Sequence, residues 1–354
     1  MENRLHRKIL GCLGAVAIGD ALGMPCHDMT SDEIRRRFGG RVRAFHPPFG
    51  DTRVHGGLGA ARVTDDTLLT LAVADAYLQN DGRITSAAVA AGLLQSYQRA
   101  RDAGCGTMFG PSTRRAAEAI AAGRDPVQTG LTGKHPMACA SNGAAMKIAP
   151  AGLVHPADPD AAIADAVTIS LVSHGTQTAI AAACAVAAGV AEAMAEGADV
   201  FSVVRAALYG AREGERIGRQ RARTVPLPSV ARRIELAVGL ALKAEDAAAA
   251  GRSLADMIGT GLAAYESIPT AIGLFVAAAG DPLESVIGGA NVGYDTDTIA
   301  AMAGALAGAL KGFEAVPADL FAQVGQANDL GLDAVAQGLA HIARRNRDAG
   351  RRPS

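Results

Sequence analysis

The chain has 354 residues, enough for one large domain or two, and 49% of them are hydrophobic although only 4% are aromatic. A formal net charge of −1 gives no electrostatic case for nucleic acid or an acidic membrane surface as partner. The cysteines at 12, 26, 105, 139 and 184 are odd in number and lack any C-x-x-C spacing, which favours a reducing cytoplasm over a disulfide framework.

Alanine and 42 glycines dominate, Trp is absent, and no long β-branched alternation occurs. Small side chains let helices approach closely, so the expectation is a compact all-α fold, one domain over residues 1–345. Arg4, Arg7 and Lys8 before "ILGCLGAVAIG" imitate a signal peptide. Asp20 follows at once and argues against that reading; amid small apolar residues it is expected to be buried, hydrogen-bonded and supportive of a site. In "TSDEIRRRFGG" Thr30 and Glu33 have capping-box spacing and Gly39 ends the helix. Residues 40–62, rich in Gly, Pro, His and Arg, read as a long loop. It leads into "VTDDTLLTLAVADAYLQ" (63–79), whose apolar positions 68, 69, 71, 72, 73 and 76 give a helix with a wide buried face.

"FGPST" (109–113) is a turn ahead of a helix, where Gly110 and Ser112 suit a phosphate and suit plain capping equally. Asn142 opens the small stretch Gly143-Ala144-Ala145, which lets backbone approach a ligand; a turn asparagine explains it as well. Residues 159–196 read as two Ala-rich helices divided near "SHGT", and a lone His174 between such helices is more often structural. "AREGERIGRQRARTVPLPS" (211–229) reads as a basic surface connection, residues 232–250 as a helix, and 346–354 as a flexible basic tail.

"VGYDTDTIAAMAGALAGALKG" (292–312) is the most unusual stretch. Its twelve residues 299–310 carry no polar side chain, as in a core or membrane helix, and fall short of the roughly 20 that span a bilayer. One Asp at the head of such a helix is a cap or a dipole partner. Asp295 and Asp297 together, with two threonines, need a further reason. No Lys or Arg follows until Lys311, and an unpaired buried carboxylate is costly. "TDDT" at 64–67 repeats the arrangement. Neither segment contains His or Cys, so the donors are all oxygen and suit magnesium, manganese or calcium rather than zinc. Four aspartates from two helix starts would suit two ions bridged by shared carboxylates.

"GAVAIGDALGMP" (14–25), "TDDT" (64–67), "SNGAAMKIAPAGL" (141–153), "SHGT" (173–176) and "NVGYDTDTIAAMAGALAGA" (291–309) follow one another over most of the chain. As an ordered set they closely resemble the ADP-ribosylglycohydrolase family, which includes the J1 crystallins. The resemblance implies an all-α fold holding two divalent cations, Mg2+ or Mn2+. It implies hydrolysis of the bond from the anomeric carbon of a ribose to a protein side chain or a small leaving group. By position, Thr64, Asp65, Asp66, Asp295, Asp297 and Thr298 match the metal ligands, Asn142 a substrate contact, and His174 a place near the adenosine ribose. Two departures stand out. Where the family normally has a glutamate that touches a metal, this chain has His27 followed by Asp28, and "MFGPST" lacks the acid that some members carry there.

The resulting expectation is a cytoplasmic, metal-dependent hydrolase of an ADP-ribosylated substrate or a small riboside. Asp28, Asp65 or Asp66 would activate the water. His27, neutral beside cations, would be a neighbour of the substrate. The departures weaken a role in removing ADP-ribose from proteins. They favour free nucleosides or other small N-ribosides as the alternative, and a non-catalytic ADP-ribose-binding or crystallin-like protein stays open.

Overall fold

The structure, a computed structural model, describes residues 2–51 and 57–350. Among them are seventeen α-helices and no strand, only two isolated bridges, Ser141–Ala263 and Thr176–Arg223. Local chemistry sets many of the helix starts. Thr30 accepts from Glu33 N ahead of helix Ser31–Phe38, and Gly39 closes that helix at φ 70. Thr176 and Asp281 do the same for helices Gln177–Ala193 and Pro282–Asn291.

Two helices form the centre. The N-terminal helix Glu2–Gly23 lies against Thr296–Lys311, and residues 299–310 of the latter are all buried. The N-terminal helix is long and apolar enough to cross a membrane, but its most apolar window is entirely buried within the fold. The two meet backbone to backbone at their functional ends. A Cβ on Gly23 would lie 2.5 Å from both Cα and N of Asp297, and Thr296 Oγ1 donates to Gly23 O at 2.8 Å. No side chain can yield there. Gly23→Ala is therefore expected to cost about 1–3 kcal/mol in stability and to disturb Asp297, read by thermal unfolding together with cation content.

Three boundaries differ from the sequence reading. Residues 211–221 belong to the long helix Val200–Arg221 rather than to a surface loop. Gly210, Gly214 and Gly218, four residues apart, form one face; a Cβ on each would come within 2.2, 2.7 and 2.7 Å of Cys184 O, Cys184 Cβ and Gln177 Cα. The arginines lie opposite and pair with Glu235, Glu213 and Glu215. Residues 232–250 contain two helices, Val230–Lys243 and Ala247–Met257, the second capped afresh by Asp246. The last helix, Leu332–Gly350, continues through 346–350, where the sequence reading begins a tail; Asn346 Nδ2 donates to Val154 O at 2.9 Å. Residues 351–354, and 52–56 of the long 40–62 connection, lie outside the described residues. All five cysteines are free.

Candidate active site

The aspartates of both motifs come together around Asp20. Its buried carboxylate accepts from Thr64 N and Oγ1 (2.9 and 2.8 Å) and from Thr67 N and Oγ1 (3.1 and 2.5 Å). Asp20 thus pins the turn that opens helix Asp65–Gln79, the supporting role its setting in the sequence suggests. Burial pushes its carboxyl up to about 6, against the pull of the threonine donors.

Simple capping explains little of the rest. Thr64 caps the first helix through Asp66 N. Asp295, at the N-cap position of Thr296–Lys311, makes no side-chain capping bond. The two motifs touch instead. Thr298 Oγ1 and Thr64 Oγ1 each lie 3.3 Å from Asp66 Oδ2, while Asp66 Oδ1 is buried with no hydrogen-bond partner among the described residues. Across the site, His27 Nδ1 lies 2.8 Å from Asp297 Oδ1 and 3.6 Å from Asp295 Oδ1. His27, Asp295 and Asp297 each offer a ligand atom, all within 4.8 Å of one another. Asp28 turns outward, its side chain 47% exposed and Oδ1 3.7 Å from His27 Nε2.

The electrostatics follow from burial. Asp65 and Asp66 are held well above the usual carboxylate range by burial first and by neighbouring carboxylates second. Burial and Asp297 push Asp295 up to about 7, against the pull of His27 and Asn142. For His27, burial lowers the pKa, but the charge and hydrogen bond of Asp297, with Asp295 and Asp28, outweigh it and raise it to about 10. In the metal-free protein His27 is therefore an imidazolium, whereas the neutral ring expected from the sequence presupposes cations beside it. Asp65, Asp66 and Asp295 form no ion pair with a lysine or arginine among the described residues. This oxygen-rich set is short of positive charge and has an orphaned carboxylate oxygen, which suits hard divalent cations. His27→Ala is expected to destabilise the metal-free protein by about 3–5 kcal/mol, because it removes the cationic partner of buried carboxylates. The loss with Mg2+ or Mn2+ present should be smaller, and melting curves in both conditions read the difference.

On the other side, Asn142 Nδ2 donates to Asp295 Oδ2 and to Ser267 Oγ, so Asn142 positions a carboxylate of the cluster. His174 is buried and packs over Gly143, where a Cβ would lie 2.7 Å from its Nε2. Burial, then Lys147 and Arg115, keep its pKa well below the ordinary histidine value. Its Nδ1 lies 2.8 Å from Ser173 Oγ and its Nε2 3.0 Å from Ser141 Oγ. The buried Lys147 donates to Ser173 Oγ at 2.9 Å. A lysine only donates, so the Ser173 hydroxyl points to Nδ1 and the ring proton sits on Nε2, facing Ser141. The sequence reading missed Lys147; a single lysine inside "GAAMKIAP" was the available signal. Gly110 stands at the N-cap of helix Pro111–Ala121, and its backbone amide faces Asp65 and pulls that carboxyl's pKa down against burial. Ser112 Oγ takes Cys139 N at 3.3 Å.

Asp28 and Tyr294 both have left-handed backbones, φ 64 and 61, a conformation costing about 1–3 kcal/mol for residues other than glycine. Backbone bonds hold the two strained loops together: Asp28 N donates to Tyr294 O at 2.9 Å, and Tyr294 N to Met29 O at 2.8 Å.

A family profile of ADP-ribosylglycohydrolases matches residues 1–349. The chain belongs to the ADP-ribosylglycohydrolase family. It is 32% identical over 343 residues to an Escherichia coli (strain K12) protein named YegU, covering 97% of this chain and 98% of that one. An Archaeoglobus fulgidus protein is 28% identical over 322 residues, covering 88% of this chain and 90% of that one. Human ADP-ribosylhydrolase ARH3 is 44% identical over 70 residues, 17% of this chain and 19% of that one. In fold, the chain superposes with a TM-score of 0.69 on a chain titled "ADP-ribosylglycohydrolase-related protein complex". That match is at 24% identity, over 96% of this chain and 99% of the other. The all-α family fold expected from the sequence is the one observed.

Proposed function

We propose that this protein is a cation-dependent hydrolase that cleaves the bond between the anomeric carbon of a ribose and its leaving group. The observation that carries this reading is the meeting of buried, under-neutralised carboxylates from two helix starts, with Asp66 Oδ1 lacking a partner among the described residues. Thr64, Asp65, Asp66, Asp295, Asp297 and Thr298 would hold two divalent cations, magnesium or manganese, with His27 close enough to join them. Such ions, when bound, supply positive charge for vicinal ribose hydroxyls and favour ionisation of water.

The chain's own groups do the rest. Asp28, at the open edge, takes a proton from the attacking water. The water oxygen bonds to the anomeric carbon, and the glycosidic electron pair leaves with the leaving group, which is then protonated. Nearby carboxylates stabilise the oxocarbenium character that develops at that carbon. Asn142 keeps Asp295 in place, and His174, neutral and oriented from Lys147, turns its Nε2 proton towards Ser141 at the substrate side.

Relatives such as ARH3, an ADP-ribosylhydrolase by name, support an ADP-ribosyl substrate. His27 and Asp28 in place of the family glutamate support a small riboside as the second reading. Incubating the Mg2+- or Mn2+-loaded protein with an ADP-ribosylated peptide and a panel of free ribosides should release ribose or ADP-ribose from one class. A fully metal-loaded protein that hydrolyses none of them would sink the enzymatic reading and leave ADP-ribose binding as the role.

A further inference from the structure

Tyr294 is an expensive residue in its place. Its φ of 61 is one that a bulky side chain rarely adopts and glycine adopts freely. Gly293, immediately before it, also has a positive φ of 97. Packing does not explain the ring, because the residue is 45% exposed. Neither does polarity, since its hydroxyl makes no hydrogen bond among the described residues.

The ring meets the fold on one side. It lies over Gly261, where a Cβ would be 3.0 Å from Tyr294 Cε1 and 3.3 Å from Cδ1. The segment beneath it is tied to the site on both sides. Thr260 O accepts from Asp295 N at 3.1 Å, and Leu262 O accepts from Asn142 N at 2.9 Å. The ring therefore stands on the rim of the carboxylate cluster, at its solvent-open edge near Asp28, where the part of a substrate beyond the ribose would extend.

We infer that Tyr294 is the platform for the leaving group, its ring stacking on a planar aromatic or heteroaromatic aglycone of the ribosyl substrate. This rests on the glycohydrolase reading and narrows it. Aromatic leaving groups of the pyridine or purine kind are selected over alkyl alcohols.

The test compares Tyr294→Phe, which keeps the ring, with Tyr294→Gly, which removes it and suits the backbone. Nicotinamide riboside and p-nitrophenyl riboside serve as aromatic probes, and an ADP-ribosyl-serine peptide as the alkyl one. For Tyr294→Gly, kcat/KM on the aromatic probes is expected to fall by about tenfold or more, the size of a lost ring stack. On the alkyl probe it should change by less than about twofold, and Tyr294→Phe should stay near wild type on both. The melting temperature of Tyr294→Gly should be no lower than that of wild type, which separates the effect from misfolding. Equal losses on both kinds of probe, or none, overturn the inference.

Should wild type hydrolyse none of these probes, the glycohydrolase reading fails and calorimetry on the metal-loaded protein decides the platform separately. Nicotinamide riboside should then bind more weakly to Tyr294→Gly than to wild type, while ribose binding stays unchanged. Equal binding of nicotinamide riboside to both proteins, or none to wild type, overturns the platform as well.

Discussion

Chelation of divalent cations is expected to reduce ribosyl hydrolysis to background and to lower the melting temperature, with Mg2+ or Mn2+ restoring both. A ligand that binds only the folded state stabilises it by about 2.7 kcal/mol at a hundred times its Kd. The pH dependence gives the prediction a sign. In the metal-free protein Asp20, Asp295 and His27 have pKa values of about 6, about 7 and about 10. All are above the ordinary values of about 3.9 for Asp and about 6.5 for His. Raised values mean that the folded state holds more protons than the unfolded one. The stability they contribute is complete below the unfolded values and is lost as pH rises through the folded ones. The metal-free melting temperature should therefore fall between pH 5 and pH 8, and cations should shrink the fall because they replace the protons. A metal-free protein that grows more stable over that range would contradict the charge balance assigned to the cluster.

Replacing Asp28 by Asn is expected to lower kcat by about 10²-fold, the lower end for a group that moves a proton in the transition state. Metal content and KM should stay close to wild type. Asp28 is the carboxylate next to the cluster that remains open to solvent, while Asp65, Asp66, Asp295 and Asp297 are buried. Its backbone strain points the same way, since such strain tends to persist where function requires it. The change from Asp to Asn keeps size and shape, so a loss of folding would be no explanation. Full activity in Asp28→Asn would move the proton transfer elsewhere, with Asp65 and Asp66 the next carboxylates to test.

The parts of this molecule that could be read from its sequence were those in which neighbouring residues contradict each other. Asp295 and Asp297 together at the head of an apolar helix were more than capping requires, and the structure gives Asp295 no capping bond. The cap at Thr30 was legible because capping is local. What escaped depended on partners far away in the chain. The helix through 211–221 is fixed by glycines lying on the Gln177–Ala193 backbone, and the arginines between them hid that period. Lys147 has its meaning only beside Ser173. Tyr294 looked like an ordinary residue within a motif because its left-handed backbone is imposed by bonds from residues 28 and 29. Asp28 and His27 could be picked out side by side, but only the structure separates an outward carboxylate from an inward ring.

The contact of Gly23 with the Thr296–Asp297 backbone also has a temporal meaning. The hydrogen bond that joins them spans 273 positions of sequence, and a pairing so distant closes late because most of the chain must already be arranged. During synthesis the aspartates at 65 and 66 would wait without their partners until the segment beyond 295 emerges. Cations held by both motifs would therefore reward only the finished molecule. A chain cut short before that segment should show no specific cation binding, which makes cation uptake a clock for the last step of folding rather than a nucleus for the first.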